Sequence, residues 1–222
     1  MDRSRIAFLI PAYNEAKTVQ IVVQSLIKYG AVFVADDNST DETALISRDS
    51  GASIITNGSE RGYENNLNYS FNAIASMNSF DYIITVDADG QHDAKYISDF
   101  LDIIFNKSPD IIIAQRTNLP RISEKIFSVI TNLLFNLNDV FSGLKAYKLD
   151  SFIIDNFDDK KLLGSNLLNI ALAKNYRLES FPIIANDRSD ANARIGGKIR
   201  GNILASLSAL RFIYYYAKRK YQ

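Results

Sequence analysis

The feature that most constrains this chain is an apolar run that ends in two carboxylates. Residues 83–86 read Ile-Ile-Thr-Val, and Asp87, Ala88, Asp89 and Gly90 follow directly. An apolar run leading into Asp and Gly is typical of a buried strand that ends in a loop. Because successive strand side chains point to opposite faces, Asp87 and Asp89 share a face. The pattern therefore predicts two carboxylates at one edge of a sheet, although a simple polar turn would have the same composition.

Strands and helices alternate through the first half of the chain. Besides the run at 83–86, the apolar segments indicate strands at 5–11, 31–35, 53–56 and 110–114. Apolar residues then recur at helical spacing at 14–30, 63–77 and 94–105. Another helix is expected to follow the second strand, with Ser39 or Thr40 as its candidate cap. Such alternation predicts an α/β fold with right-handed crossovers and a mostly parallel, Rossmann-like sheet flanked by helices. Ligands of such sheets bind beyond the carboxyl ends of the strands, where the acidic loops fall.

The second half of the chain has a different pattern. An amphipathic helix is indicated at 123–137, with Ile126, Ile130, Leu133 and Leu134 on one side. A loop and strand at 139–147, a helix at 162–174, a strand at 177–184 and a Gly-containing loop at 186–200 follow. A final helix carries its own apolar side, formed by Ile203, Leu207, Leu210 and Tyr214. With no repeat or linker in view, we expect one domain over residues 1–222.

Composition excludes several classes of function. Lys plus Arg and Asp plus Glu balance at 25 each, which argues against a general nucleic-acid binder. The absence of cysteine excludes disulfides and thiolate metal sites, and a lone His92 argues against a zinc centre or a Ser-His-Asp triad. No apolar stretch reaches about 18 residues, so we expect a cytoplasmic protein that does not span the membrane. Carboxylates at the spacing of Asp87 and Asp89 suit Mg²⁺ or Mn²⁺, which proteins often share with substrate phosphates.

Five segments in this order resemble the inverting glycosyltransferases of family 2, which have the GT-A fold. They are Pro-Ala-Tyr-Asn-Glu at 11–15, Asp-Asp-Asn-Ser-Thr-Asp at 36–41, Gly62, Asp-Ala-Asp-Gly at 87–90 and Asp-Val-Phe-Ser-Gly-Leu-Lys at 139–145. The nearest branch is that of the dolichol- and polyprenyl-phosphate sugar synthases, and the likeness is strong over residues 5–150. It implies a nucleotide diphosphate sugar as donor, a divalent cation, a donor half at about 1–116 and an acceptor half at about 117–222.

The resemblance assigns a donor-binding role to a set of residues at the predicted sheet edge. Those lining the nucleotide pocket are Pro11, Ala12, Tyr13, Glu15, Asp36, Asp37 and Gly62, with Asp37 the direct partner of base and ribose. Asp89 is the expected direct metal ligand, and Asp87 binds metal, ribose or water. Gln91 is expected to touch the donor or the acceptor, whereas His92 has no family role. Arg188, Arg194 and Lys198 resemble the late loop that closes over the donor diphosphate.

On the acceptor side the resemblance implies a role for Arg116, since an arginine fork can hold phosphate oxygens bidentately. Arg121 or Lys125 is the candidate for a second positive charge. Asp139 is the candidate general base, which a sugar hydroxyl needs and an ionised phosphate does not. Leu144 and Lys145 depart from the family's Phe-Arg, so the resemblance does not define the acceptor pocket.

The sequence thus predicts a metal-dependent inverting transferase that acts on polyprenyl phosphate. A sugar hydroxyl of a cell-surface glycan is the alternative acceptor. The C-terminal segment 210–221 mixes aromatic and basic residues and either contacts the inner face of the membrane or packs as a plain helix. A nucleotidyltransferase is disfavoured because residues 11–15 contain neither Gly nor Lys, and a non-catalytic binding module because Asp87 and Asp89 are both present.

Overall fold

The structure, a computed structural model, describes residues 2–58, 62–90, 94–119, 122–150, 165–184 and 197–221. Within these residues one sheet of seven strands is covered by helices on both faces. The strands are β1 (Ile6–Ala12), β2 (Ala31–Asp36), β3 (Ser53–Thr56), β4 (Tyr82–Thr85), β5 (Ile111–Arg116), β6 (Lys145–Lys148) and β7 (Leu178–Ile183). The helices are α1 (Val19–Leu26), α2 (Thr43–Asp49), α3 (Tyr63–Ser76), α4 (Ala94–Lys107), α5 (Ile122–Phe135), α6 (Asn166–Ala173) and α7 (Gly197–Lys220).

The sheet has the order β3-β2-β1-β4-β6-β5-β7. Strand β6 runs antiparallel to β4 and β5, while the other pairings are parallel. The predicted α/β fold with a mostly parallel sheet is confirmed. The alternation of strands and helices does not reveal that β6 inserts between β4 and β5, because this pairing joins segments that are far apart in sequence.

Alternating side chains of β1 divide the core into two layers. Ile6, Phe8 and Ile10 pack with α1 and α4 on one face of the sheet, whereas Ala7 and Leu9 belong to the cluster under α3, α5, α6 and α7. All five side chains are fully buried, as expected for a strand covered on both faces. The continuous apolar run of β1 is therefore explained by its central place in the sheet.

The start of α2 differs from the prediction. The helix begins at Thr43, and neither Ser39 nor Thr40 caps it. The Asp41 carboxylate instead accepts a hydrogen bond from the Thr43 backbone N–H at 3.0 Å. Ser39 and Thr40 bind Asn14 in the loop after β1, so tertiary contacts override their local capping preference.

Helices α5 and α7 carry apolar residues on the side that faces away from the core. The predicted amphipathic patterns are present, but Ile126, Leu133, Leu207 and Leu210 are exposed. The buried side of α5 is formed by Glu124, Phe127 and Thr131. No helix of the described residues combines the length and the apolar character needed to cross a membrane.

Gly30 lies where the chain enters β2, and a Cβ at this position would overlap the Ile6 carbonyl oxygen of β1. We expect Gly30→Ala to lower the free energy of unfolding by about 1–3 kcal/mol, because the rigid backbone of a central strand must shift. Gly58→Ala is the matched control, since a Cβ at Gly58 meets no atom within 4 Å. Urea denaturation of both variants checks the prediction, and equal midpoints would contradict it.

Candidate active site

The loops after β1, β2 and β3 meet at the carboxyl edge of the sheet. Ala12 pairs with Asp36, and Asp36 pairs with Thr56, so three strand ends lie side by side. The Asp37 backbone N–H donates to the Ala12 carbonyl at 2.9 Å, which extends the pairing into the loops. Since the carboxyl ends of parallel strands form the crevice of an α/β sheet, this edge is the candidate site.

The loop formed by residues 11–15 is held by the loop after β2. Asn14 adopts a positive φ of 54°, its backbone N–H donates to Ser39 Oγ at 2.9 Å, and its side chain accepts from the Thr40 N–H at 2.8 Å. Glu15 is buried, and its carboxylate accepts from the Thr18 hydroxyl at 3.1 Å. Tyr13 is 48% exposed, so its ring remains accessible at the edge of the crevice.

The two acidic residues after β2 have different partners. Asp36 is buried, and its carboxylate accepts from the Ser39 N–H at 3.2 Å. Both oxygens of Asp37 lie 3.0 Å from the Gly62 nitrogen. Gly62 has a φ of 123°, a conformation that side chains disfavour, and this orients its N–H toward Asp37. The structure thus brings together the Asp37 and Gly62 that the sequence assigned to the nucleotide.

Asp87 and Asp89 follow β4 at the same edge, as their place in the sequence implied. Asp89 is buried, whereas Asp87 is half-buried. The Asp87 carboxylate lies directly against the Cα of Gly143, so that a Cβ at position 143 would overlap it. The Thr85 hydroxyl donates to the Gly143 carbonyl at 2.8 Å and holds the two segments together. Gly143 therefore provides the space that Asp87 occupies.

Tyr63 is a member of the site that sequence reasoning missed. The Tyr63 side chain is 40% exposed overall, but its hydroxyl end is desolvated beside Asp87, Glu64 and Asp89, and this desolvation together with the nearby charges raises its pKa. The hydroxyl therefore stays protonated near neutral pH and can donate a hydrogen bond. Its position directly after Gly62 was the available signal, because the first residue of a helix that begins at the sheet edge faces the crevice.

Arg116 and Asp139 form a bidentate ion pair on the other side of the crevice. Arg116 Nε donates to Asp139 Oδ2 at 2.6 Å and Arg116 Nη2 to Oδ1 at 3.1 Å. Oδ1 also accepts from the Phe141 N–H at 3.1 Å. Glu124 lies 3.6 Å from Nη2 of the same arginine. The sequence pattern does not predict this contact, because it joins β5 to the next helix. Both carboxylates are almost fully buried.

The electrostatics of this pair favour its charged form. Burial alone lowers the pKa of Arg116, but the Asp139 and Glu124 carboxylates more than offset that effect, so the pKa is raised overall. A guanidinium stays charged under these conditions, and both oxygens of Asp139 are engaged by donors. In this arrangement Asp139 is a partner of Arg116 rather than a base with a vacant lone pair.

Lys145 at the start of β6 is a second buried cation. It is 2% exposed, and burial lowers its pKa to about 8, against the opposing effect of Asp139, Asp87 and Glu64. This residue stands where the resembling family has arginine. It supplies positive charge near the Asp139, Asp87 and Glu64 carboxylates.

The oxygen donors at this edge fit a hard divalent cation. Magnesium and manganese are commonly held by one or two carboxylates, with water and substrate phosphates completing the coordination. Asp87 and Asp89 provide such a pair, and Gly143 makes room for the first of them. Within the described residues, no group of three or more His, Cys, Asp or Glu converges as a complete metal cage.

Four expected site residues lie outside the described residues, namely Gln91, Arg121, Arg188 and Arg194, as does His92, for which no role was expected. For Lys198 only the backbone is described, and it belongs to α7. The loop expected at 186–200 is therefore helical from residue 197. Lys125, the other candidate for a second acceptor charge, is exposed on α5.

We expect Gly143→Ala to weaken Mn²⁺ binding by about tenfold or more, because the added methyl group displaces the Asp87 carboxylate. Isothermal titration with Mn²⁺ measures the effect, and Gly58→Ala serves as the matched control. Thermal melting shows whether each variant is folded. An unchanged Mn²⁺ affinity in folded Gly143→Ala would contradict the role of Gly143.

Lys145 predicts a pH-dependent stability. Its folded pKa of about 8 lies below the ordinary value of 10.5, so between these values the unfolded chain binds a proton that the folded protein does not. The free energy of unfolding should therefore rise with pH across this window by about 1 kcal/mol per pH unit. Urea denaturation of wild type and Lys145→Met in the presence of a chelator tests this, since the variant should lack that slope. Identical slopes would contradict the prediction.

Comparison with known proteins identifies relatives of this chain. The family model described as glycosyl transferase family 2 matches residues 7–157. An uncharacterised protein of Methanocaldococcus jannaschii is 27% identical over 82% of this chain and 82% of its own length. The UDP-N-acetylglucosamine–dolichyl-phosphate N-acetylglucosaminyltransferase of Methanococcus voltae is 27% identical over 64% of this chain and 68% of its own.

The fold is also similar to solved structures. Glucosyl-3-phosphoglycerate synthase from Mycobacterium tuberculosis, in complex with Mn²⁺, UDP-glucose and phosphoglyceric acid, superposes with a TM-score of 0.73 and 16% identity. The match covers 98% of this chain and 80% of the synthase. The fold is GT-A, and because the family model covers more than half of the residues, this chain belongs to glycosyl transferase family 2.

Proposed function

We propose that this glycosyltransferase moves a sugar from a nucleotide diphosphate donor to a polyprenyl phosphate, with inversion at the anomeric carbon. The observation that carries the choice of acceptor is the ion pair between Arg116 and Asp139. Asp139 engages only Nε and Nη2 of Arg116, so a guanidinium with five N–H donors still has donors for a phosphate, whereas both oxygens of the candidate base Asp139 are engaged. An ionised phosphate is itself a nucleophile and needs no base.

The donor half of the proposal rests on the interlocked loops after β1, β2 and β3. Tyr13 offers an accessible ring for the base or ribose, and Asp37 offers carboxylate oxygens that can accept from ribose hydroxyls. The bond from the Gly62 N–H orients Asp37 before any ligand binds. Such preorganisation reduces the ordering cost of binding.

We propose Mg²⁺ or Mn²⁺ as cofactor, held by Asp89 and Asp87. When bound, the cation stabilises the negative charge that develops on the departing diphosphate. The similar synthase from Mycobacterium tuberculosis was crystallised with Mn²⁺ and UDP-glucose, which supports a divalent cation at the donor site. Tyr63, with its protonated hydroxyl, can donate a hydrogen bond beside these carboxylates.

The remaining steps fall to the residues of this chain. Arg116 orients the acceptor phosphate for in-line attack on the sugar, while Asp139 and Glu124 fix the guanidinium plane. Buried Lys145 offsets part of the carboxylate charge. The lipid acceptor is met at the inner face of the membrane, with α7 near the contact.

A sugar hydroxyl is the second candidate acceptor. A hydroxyl acceptor in general is supported by the similar glucosyl-3-phosphoglycerate synthase, whose complex contains phosphoglyceric acid, a hydroxy acid that is neither a sugar nor a lipid phosphate. That reaction class would require Asp139 to leave Arg116 and accept a proton. Replacing Asp139 would remove both the candidate base and the ion pair. Testing both acceptors with the wild-type protein therefore distinguishes the two candidates better than an Asp139 variant does.

We expect the wild-type protein with Mn²⁺ to transfer sugar from one member of a panel of UDP- and GDP-sugars to a short-chain isoprenyl phosphate. The corresponding isoprenol, which lacks only the phosphate, should not react because it needs a base and offers nothing to Arg116. Product formation by mass spectrometry and anomeric configuration by NMR check the prediction. Transfer to a sugar hydroxyl but not to the isoprenyl phosphate would overturn the proposed acceptor.

A further inference from the structure

We infer that the outward face of α5, together with the outward face of α7, is a docking surface for an anionic lipid bilayer. This inference deepens the proposed function by stating how a lipid acceptor reaches the site. It rests on the exposure, the charge and the position of these two helices.

Helix α5 exposes a continuous apolar stripe. Its members recur at helical spacing and are Ile122, Ile126, Val129, Ile130, Leu133 and Leu134. Leu133 is 86% exposed and Ile122 71%. The stripe lies opposite the buried side chains of the same helix, so it cannot contribute to the core. Large contiguous apolar patches on a protein surface mark sites of interaction.

Helix α7 repeats the arrangement with Ile203, Leu207, Leu210 and Tyr214, all exposed. Its buried Phe212 packs edge to face on Phe127 of α5, with ring centroids 6.2 Å apart. The buried sides of both helices belong to one apolar cluster on one face of the sheet. The two outward stripes therefore point away from the same core.

The charge on these helices favours anionic lipid as the occupant. Residues 197–220 contain six Lys or Arg residues and no Asp or Glu, although the whole chain has no net charge. Among those with described side chains, Lys218 is exposed, whereas Arg219 and Lys220 donate hydrogen bonds to asparagine side chains. On α5 Lys125 is exposed, whereas Glu124 is turned inward toward Arg116. An apolar face with a cationic rim binds anionic membrane surfaces. A second copy of the chain would instead bring an excess of like charges together, since residues 197–220 carry no acidic residue to pair with exposed Lys125 and Lys218.

The position of α5 connects this surface to the site. Glu124 lies in the first turn of α5 and approaches Arg116 to 3.6 Å. Ile122, only two residues earlier, already belongs to the exposed stripe. A bilayer bound along α5 would therefore lie beside the arginine that receives the acceptor phosphate, and a lipid phosphate would have only a short path from the headgroup layer to the site.

Vesicle sedimentation of the full chain tests the inference. We expect binding to phosphatidylcholine vesicles that contain about 30% phosphatidylglycerol, and much weaker binding to phosphatidylcholine alone. Combining Ile126→Ser, Val129→Ser and Leu133→Ser should weaken binding about tenfold, because apolar area at the interface is lost. Ile21→Ser with Leu45→Ser is the matched control, since these side chains are also exposed and apolar but lie on α1 and α2.

The outcomes separate this inference from the proposed function. Failure to bind anionic vesicles would overturn it, as would a dimer in analytical ultracentrifugation that the α5 substitutions dissociate. Unchanged melting temperatures would show that the α5 variant is folded, and it should still transfer sugar to a water-soluble isoprenyl phosphate. Transfer without vesicle binding rejects the docking surface alone, whereas vesicle binding without any transfer rejects the proposed acceptor alone.

Discussion

The arrangement of the crevice beyond β5 depends on the buried ion pair between Arg116 and Asp139. The pair joins the end of β5 to the segment that precedes β6, and breaking a buried pair leaves an uncompensated charge that costs about 3–5 kcal/mol. The same segment continues to Gly143, against which the Asp87 carboxylate lies. One stretch of chain thus positions both the candidate phosphate-binding arginine and one of the candidate metal ligands.

Charge balance explains why buried cations and carboxylates lie close together at this edge of the sheet. Asp87, Asp139, Glu64 and Glu124 bring negative charge close to Arg116 and Lys145. Arg116 offsets part of this charge, and Lys145 offsets another part, at a cost visible in its lowered pKa. A divalent cation would complete the balance when a donor diphosphate adds further negative charge. The two protein cations are thus part of the site although neither is a metal ligand.

Helix α5 has different roles on its two sides. Its inner side holds Glu124 against Arg116 and packs Phe127 on Phe212 of α7, whereas its outer side exposes apolar residues from Ile122 onward. The proposed lipid-binding surface therefore begins within one helical turn of Glu124, which contacts the candidate phosphate-binding Arg116.

The local sequence pattern was sufficient to predict the strand ends that carry Asp36, Asp37, Asp87 and Asp89, because period-two alternation and apolar runs are short-range properties. It also determined the α/β class. The insertion of β6, the ion pair of Arg116 with Asp139 and the space at Gly143 were decided only by tertiary structure, because each depends on contacts between segments distant in sequence. An amphipathic stripe is equally consistent with a core face and a lipid-binding face, so only the packing of α5 and α7 decided that their apolar sides face outward.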